Sequence, residues 1–158
     1  MELEEIMKAF AAETGIEGIA VADDGAYHFD IDGISVMFAT NDEKTQIGMY
    51  AEIGEPASEG REIVYHAVLE AMAPGEYADG NVFSILRGSD RIVLSRADPM
   101  ALTDYAVFKA RLENLVNVAE DWRRNIANFP ALYGKIQSAV NAAKETAREF
   151  SQSGFMQV

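Results

Sequence analysis

The dipeptide Asp32-Gly33 constrains the fold of this chain more than any other feature. Before it, Tyr27, Phe29 and Ile31 alternate with His28 and Asp30; after it, Ile34, Val36 and Phe38 are separated by Ser35 and Met37. A two-residue type I′ turn needs positive φ at both central positions, and Asp-Gly meets that need, so the segment reads as a β-hairpin. The short loop pairs Ile31 with Ile34, Phe29 with Val36 and Tyr27 with Phe38, which puts both apolar sets on one face. Slipping the register by one residue would turn every one of those side chains to the other face. The opposite face of the hairpin then carries His28, Met37 and Ala39.

The rest of the chain falls into place around this hairpin. Leu3, Ile6, Met7, Phe10 and Ala11 recur at helical spacing, and Thr14-Gly15 supplies a C-terminal cap, which predicts a helix over about 3–14. Asn41-Asp42-Glu43-Lys44 forms a second turn, and Gln46–Ile53 reads as a third strand with Ile47, Met49, Ala51 and Ile53 on one side. Ser58 is the expected N-cap of a second helix at about 59–72. Its stripe of Ile63, Val64, Ala67, Val68, Ala71 and Met72 is widened by Tyr65 and Leu69, broad enough for more than one packing partner. Strands at 81–86 and 91–97 flank Arg87-Gly88-Ser89-Asp90. Tyr105, Phe108, Leu112, Leu115, Val116, Ala119, Trp122 and Ile126 mark a long helix at about 103–128. Pro130 is expected to interrupt it, leaving an Ala-rich helix at 131–150 and a loose tail. The order α-βββ-α-ββ-α, with an extra C-terminal helix, predicts a single α+β domain with an antiparallel sheet packed on helices. Residues 1–128 would form that domain and 129–158 a helical extension and tail.

Composition narrows the function. The 158 residues carry 13 basic and 26 acidic side chains, a net charge of −13. Such a chain is repelled by nucleic acid and by anionic membrane, and the sequence holds no apolar run long enough to span a bilayer. With no cysteine there is no disulfide, thiolate zinc site or thiol nucleophile. The charge is uneven: residues 1–60 hold 14 acids and two bases, Lys8 and Lys44. Such a negative face favours solubility and attracts basic partners. The acidic, amphipathic N-terminus does not resemble a signal peptide.

The chemistry-bearing motifs are sparse. His28 and His66 lack metal-ligand spacing. Asp30-x-Asp32-Gly33 resembles a fragment of a calcium loop, but the twelfth position from Asp30 is Asn41, not a glutamate. No phosphate-binding glycine loop or nucleophile elbow occurs. Nothing in these motifs suggests catalysis, and the expectation is of no cofactor and no metal. Seven methionines, among them Met7, Met37, Met49 and Met72 on amphipathic elements, serve either as core or as an adaptable surface for apolar segments.

The order of elements and several motifs resemble the class I type III secretion chaperones, the CesT/SycE-like (Tir chaperone) group. The residues that carry the likeness are Phe29-Asp30-Ile31-Asp32-Gly33, similar to the family's "x-IDG" hairpin, and Met49-Tyr50-Ala51-Glu52-Ile53-Gly54, similar to its "L-Y-A-x-L-G" strand end. A third is Leu112…Leu115-Val116-Asn117-Val118-Ala119-Glu120-Asp121-Trp122-Arg123, similar to its "L-x-x-F-V-x-x-A-E-x-W-R" helix. The second helix departs from the pattern, ending Ala71-Met72-Ala73-Pro74. The resemblance implies a non-enzymatic, cytoplasmic bacterial homodimer that binds a secreted effector's N-terminal segment in extended form and keeps it export-competent, with no nucleic acid and no membrane insertion. Effector-binding residues would be Leu3, Ile6, Met7 and Phe10 of the first helix, for which core packing is the other reading, with His28, Met37 and Ala39. The dimer interface would use Ile63, Val64, Val68, Leu69, Phe83 and Ile85. Trp122 is expected to anchor the core. A YbjN-like regulator, which shares the fold, would instead bind a folded partner.

Overall fold

A computed structural model describes residues 2–16, 19, 21–73 and 80–153. The first helix, α1, spans Leu3–Thr14; the Glu2 amide donates to the Glu5 carboxylate at 3.1 Å, and left-handed Gly15 (φ 71°) closes the other end on the Ala11 carbonyl. Strands β1 (Tyr27–Ile31), β2 (Ile34–Thr40) and β3 (Gln46–Gly54) follow, then α2 (Arg61–Ala71), β4 (Val82–Ile85), β5 (Ile92–Pro99), a short 3₁₀ turn at Met100–Leu102 and α3 (Tyr105–Ser153). The sheet is antiparallel throughout, in the order β1-β2-β3-β5-β4. The α+β class and the order α-βββ-α-ββ-α expected from the sequence are those observed, but the extra C-terminal helix is not a separate element: it is the continuation of α3.

Hairpin chemistry sets the register. Asp32 (φ 54°) and Gly33 (φ 77°) both adopt positive φ, and the pairs Tyr27–Phe38, Phe29–Val36 and Ile31–Ile34 form as expected. One face of the sheet thereby collects Ile34, Val36, Phe38, Ile47, Met49, Ala51, Ile53, Ile92 and Leu94, all buried. Onto that face pack α1 through Leu3, Ile6, Met7 and Phe10, and α3 through Phe108, Leu112, Leu115 and Ala119. Removing each large apolar side chain from water contributes roughly 1.5–3 kcal/mol. The centre of the layer is aromatic: Phe38 meets Phe108 edge-on at 5.2 Å, and Phe10 meets both Phe108 (6.3 Å) and Phe29 (5.6 Å).

Two boundaries differ from expectation. The second helix starts at Arg61 behind a left-handed Gly60 (φ 78°), and Ser58 makes no cap. The helix start is tied down by charge instead: the Arg61 guanidinium bonds the carboxylates of Asp90 and Glu55, and the Tyr65 hydroxyl donates to the Asp90 carbonyl at 3.2 Å. Secondly, α3 runs unbroken through Pro130 for 49 residues. Proline forfeits one backbone hydrogen bond and crowds the preceding turn, at a cost of about 3 kcal/mol. Opposing it is packing on the turns before the proline, where Ile126 is buried and Phe129 packs against the core. Trp122 and Phe129, one heptad apart, stack at 6.1 Å on the turns leading to Pro130.

Replacing Pro130 by alanine restores the missing amide to the Ile126 carbonyl. The expected result is stronger helical circular dichroism and slower amide exchange over residues 126–134, with exchange in the sheet unchanged; unaltered exchange there would show that the proline exerts no local strain.

Candidate binding surface

The helices cover one face of the sheet and leave the other open. Across that open face run His28, Met37, Tyr50, Ser95 and Val82, each paired with the next through the strand registers. His28, Tyr50 and Val82 are exposed, while Met37 and Ser95 are half-buried. Ala39 lies half-buried beside Gly48 on the same face. The Tyr50 ring lies over Gly48 so closely that a Cβ there would sit 2.9 Å from it. His28 bonds the Asp24 carboxylate at 2.8 Å, and Asp24 is held below the usual carboxylate range, chiefly by the Ala26 amide and then by His28. His28, Met37 and Ala39 thus share one accessible face, as the hairpin register requires.

The first helix is placed differently. Ile6 and Met7 are sealed in the core, and Leu3 and Phe10 keep only a margin of surface. The core-packing reading therefore describes this conformation, in which these four residues hold α1 onto the sheet and α3. An amphipathic stripe has the same spacing whether it faces a core or a partner, so periodicity alone does not separate the two.

The far end of α1 carries residues that sequence patterning missed. Tyr105 donates its hydroxyl to the Glu13 carboxylate at 2.7 Å, and the Lys109 ammonium bonds the other oxygen of the same group. Glu13 is held below the normal range by these two donors, while desolvation and the neighbouring carboxylate push the Tyr105 hydroxyl up to about 12. The network ties the end of α1 to the start of α3. Farther along α3, the Arg123 guanidinium donates to the Gly33 carbonyl, so the Asp-Gly turn and the Trp-Arg helix segment meet in space. No local signal marks these contacts, because their partners lie 90 or more residues apart.

The residues proposed for self-association divide. Val64, Val68 and Phe83 are buried within the chain, whereas Leu69 is 72% exposed, Ile85 is 49% exposed and Ile63 is half-buried. Val82 and Leu86, which sequence reading did not single out, are also exposed on the β4–β5 hairpin. Trp122 is half-buried and meets Phe83 edge-on at 4.9 Å, the role of a core anchor. Arg96 is buried on the helix-covered face with its charge matched by Asp98 (2.7 and 3.1 Å), and Asn81 links to Asn114 on α3 at 2.8 Å. Among the described residues, no group of three or more His, Asp or Glu is arranged to hold a metal ion, and no helix is long and apolar enough to cross a membrane.

Two measurements test these placements. Met7→Ala should lower stability by about 2–5 kcal/mol in denaturant unfolding, the cost of a core cavity; a loss under about 0.5 kcal/mol, as at a surface site, would free α1 from its core role. For Glu13, a folded pKa below its unfolded value stabilises the chain above about pH 4.5, and that gain is lost as pH falls through the folded pKa. The melting temperature of Glu13→Gln should accordingly lie below that of the parent at neutral pH and converge with it in acid.

Comparison with known proteins agrees with this geometry. The model of the Tir chaperone protein (CesT) family matches residues 5–123. No curated protein matches the sequence. Among solved structures, a chain of the ExsC-ExsE complex is similar at a TM-score of 0.65 with 16% identity, over 80% of this chain and 97% of that one. A chain of the HopA1-SchA chaperone-effector complex aligns at 0.63 with 10% identity, over 77% and 93% respectively. The Yersinia pestis type III secretion chaperone SycH, solved with a fragment of YscM2, aligns at 0.57 with 18% identity, over 75% and 97%. At these identities the structural likeness concerns the fold, whereas the family match spans most of the chain. An open sheet face, a helix-covered core and the meeting of the Asp-Gly turn with the Trp-Arg helix are thus the form taken here by a member of the Tir chaperone protein (CesT) family, to which this chain belongs.

Proposed function

We propose that this protein, a secretion chaperone by family, holds the N-terminal segment of a type III effector in extended form on the open side of its sheet. The observation that carries this reading is the edge strand β1, which among the described residues has a sheet neighbour only at β2 and borders the open face of His28, Met37 and Ala39. An extended segment can add to such an edge by backbone hydrogen bonds while those of its side chains that point to the open face lie beside His28. Leu3 and Phe10 offer only a margin of surface on the covered side, and Ile6 and Met7 reach a client only if α1 shifts. Family membership supports a non-enzymatic role, exercised in the bacterial cytoplasm before export. For a second copy, Leu69, Ile63 and Ile85, with Leu86 at the end of β4, are the apolar side chains left accessible, while Val64, Val68 and Phe83 support them from beneath. No comparison favours a YbjN-like regulator.

The experiment is co-expression with the N-terminal region of an effector encoded nearby, followed by affinity purification and limited proteolysis. A chaperone retains a segment that is cleaved rapidly once released; retention of a compact, protease-resistant domain would support the regulator instead. Leu69→Asp should convert a dimer to a monomer in light scattering without lowering the melting temperature; an unchanged mass would remove Leu69 from the interface.

A further inference from the structure

Between the end of α1, the β1–β2 turn and the first turns of α3 lies a groove of about 610 Å³. Its apolar lining is Phe10, Ile31, Leu112 and Val116, and its acidic members are Glu13, Asp30, Asp32 and Glu113. Lys109 is the cation within it, and its ammonium is already bonded to Glu13. Asp30 uses one oxygen to accept the Gly33 amide at 2.9 Å, and among the described residues no ion pair engages Asp30, Asp32 or Glu113. Arg123, the cation that reaches the turn, is bonded to the Gly33 carbonyl and does not line the groove. The groove therefore pairs an apolar floor with a rim whose negative charge exceeds its positive charge by three.

We infer that this groove seats an arginine or lysine of the client, lying beside an apolar residue of the same extended segment. A long basic side chain matches both parts of the site: its methylene stem lies along apolar surface while its charged head reaches the rim. A guanidinium can meet one carboxylate with two parallel hydrogen bonds, which adds orientation to attraction. An acidic client segment is rejected there, and the surrounding residues 1–60, with 14 acids against two bases, steer in the same direction. The inference rests on the client-binding reading above and adds to it the charge of the residue that the protein selects.

The test uses the full chain and a fluorescein-labelled peptide of alternating leucine and arginine, compared with its citrulline counterpart, which keeps the shape and loses the charge. Anisotropy at low salt should show the arginine peptide binding about tenfold more tightly, equivalent to about 1.4 kcal/mol. Asp32→Asn combined with Glu113→Gln should abolish that preference. Asparagine tolerates the positive φ of position 32, and if the pair melts early, Glu113→Gln alone, on an exposed helical position, should still lower the preference by about threefold. A photo-crosslinker at Asn117, on the groove, should capture the arginine peptide, whereas one at Ser95, on the open sheet face, reports on the wider client surface. Equal binding of the two peptides, or capture at position 95 with none at 117, overturns the groove and leaves the client-binding reading standing. Failure of an effector segment to co-purify, together with no capture at either position, overturns both.

Discussion

The packing of α3 across the inner face of the sheet is the interaction on which the rest of the structure depends. Phe108 sits on Phe38 at the centre of the sheet, Phe10 closes over both, and Leu115 and Ala119 continue the contact along the helix. With α1 and α3 on this face, no helix among the described residues covers the opposite one. The open surface is thus a direct result of where the helices lie, and its small residues, Ala39, Gly48, Ser95 and Ala97, keep it shallow enough for another chain to approach.

Much of the fold was legible in the sequence because it is written locally. Asp32-Gly33 and its alternating flanks determined the register of β1 and β2, and the spacing of Leu3, Ile6, Met7 and Phe10 gave the limits of α1. The second helix was misjudged at its start because Arg61 is held by Asp90, 29 positions away, and serine capping rules see only neighbours. Pro130 misled for a related reason: local propensity opposes the helix there, while the Trp122–Phe129 stack and the packing of Phe129 against the core favour it. Contacts beyond the local sequence outweighed local preference at both points.

The surface was less legible than the core. Hairpin register placed His28, Met37 and Ala39 together on the open face, and the breadth of α2, read as room for more than one packing partner, goes with the exposure of Leu69. Patterning did not distinguish Val64 and Val68, which point inward, from Leu69, one residue farther on. The groove was invisible, since Glu13, Asp32 and Glu113 come from three elements and only folding brings them to one rim. The excess of acid in residues 1–60 foretold a negative surface, but not that part of it would border an apolar floor.

The uninterrupted α3 has a consequence for how the molecule moves in solution. At a rise of about 1.5 Å per residue, its 49 residues extend for roughly 70 Å, about twice the diameter of a compact domain of 100 to 130 residues. A particle carrying such a rod diffuses more slowly than a sphere of equal mass. Gel filtration calibrated with globular standards would then report even the monomer as something larger, and an apparent dimer by elution volume would measure the length of one helix as much as the number of chains.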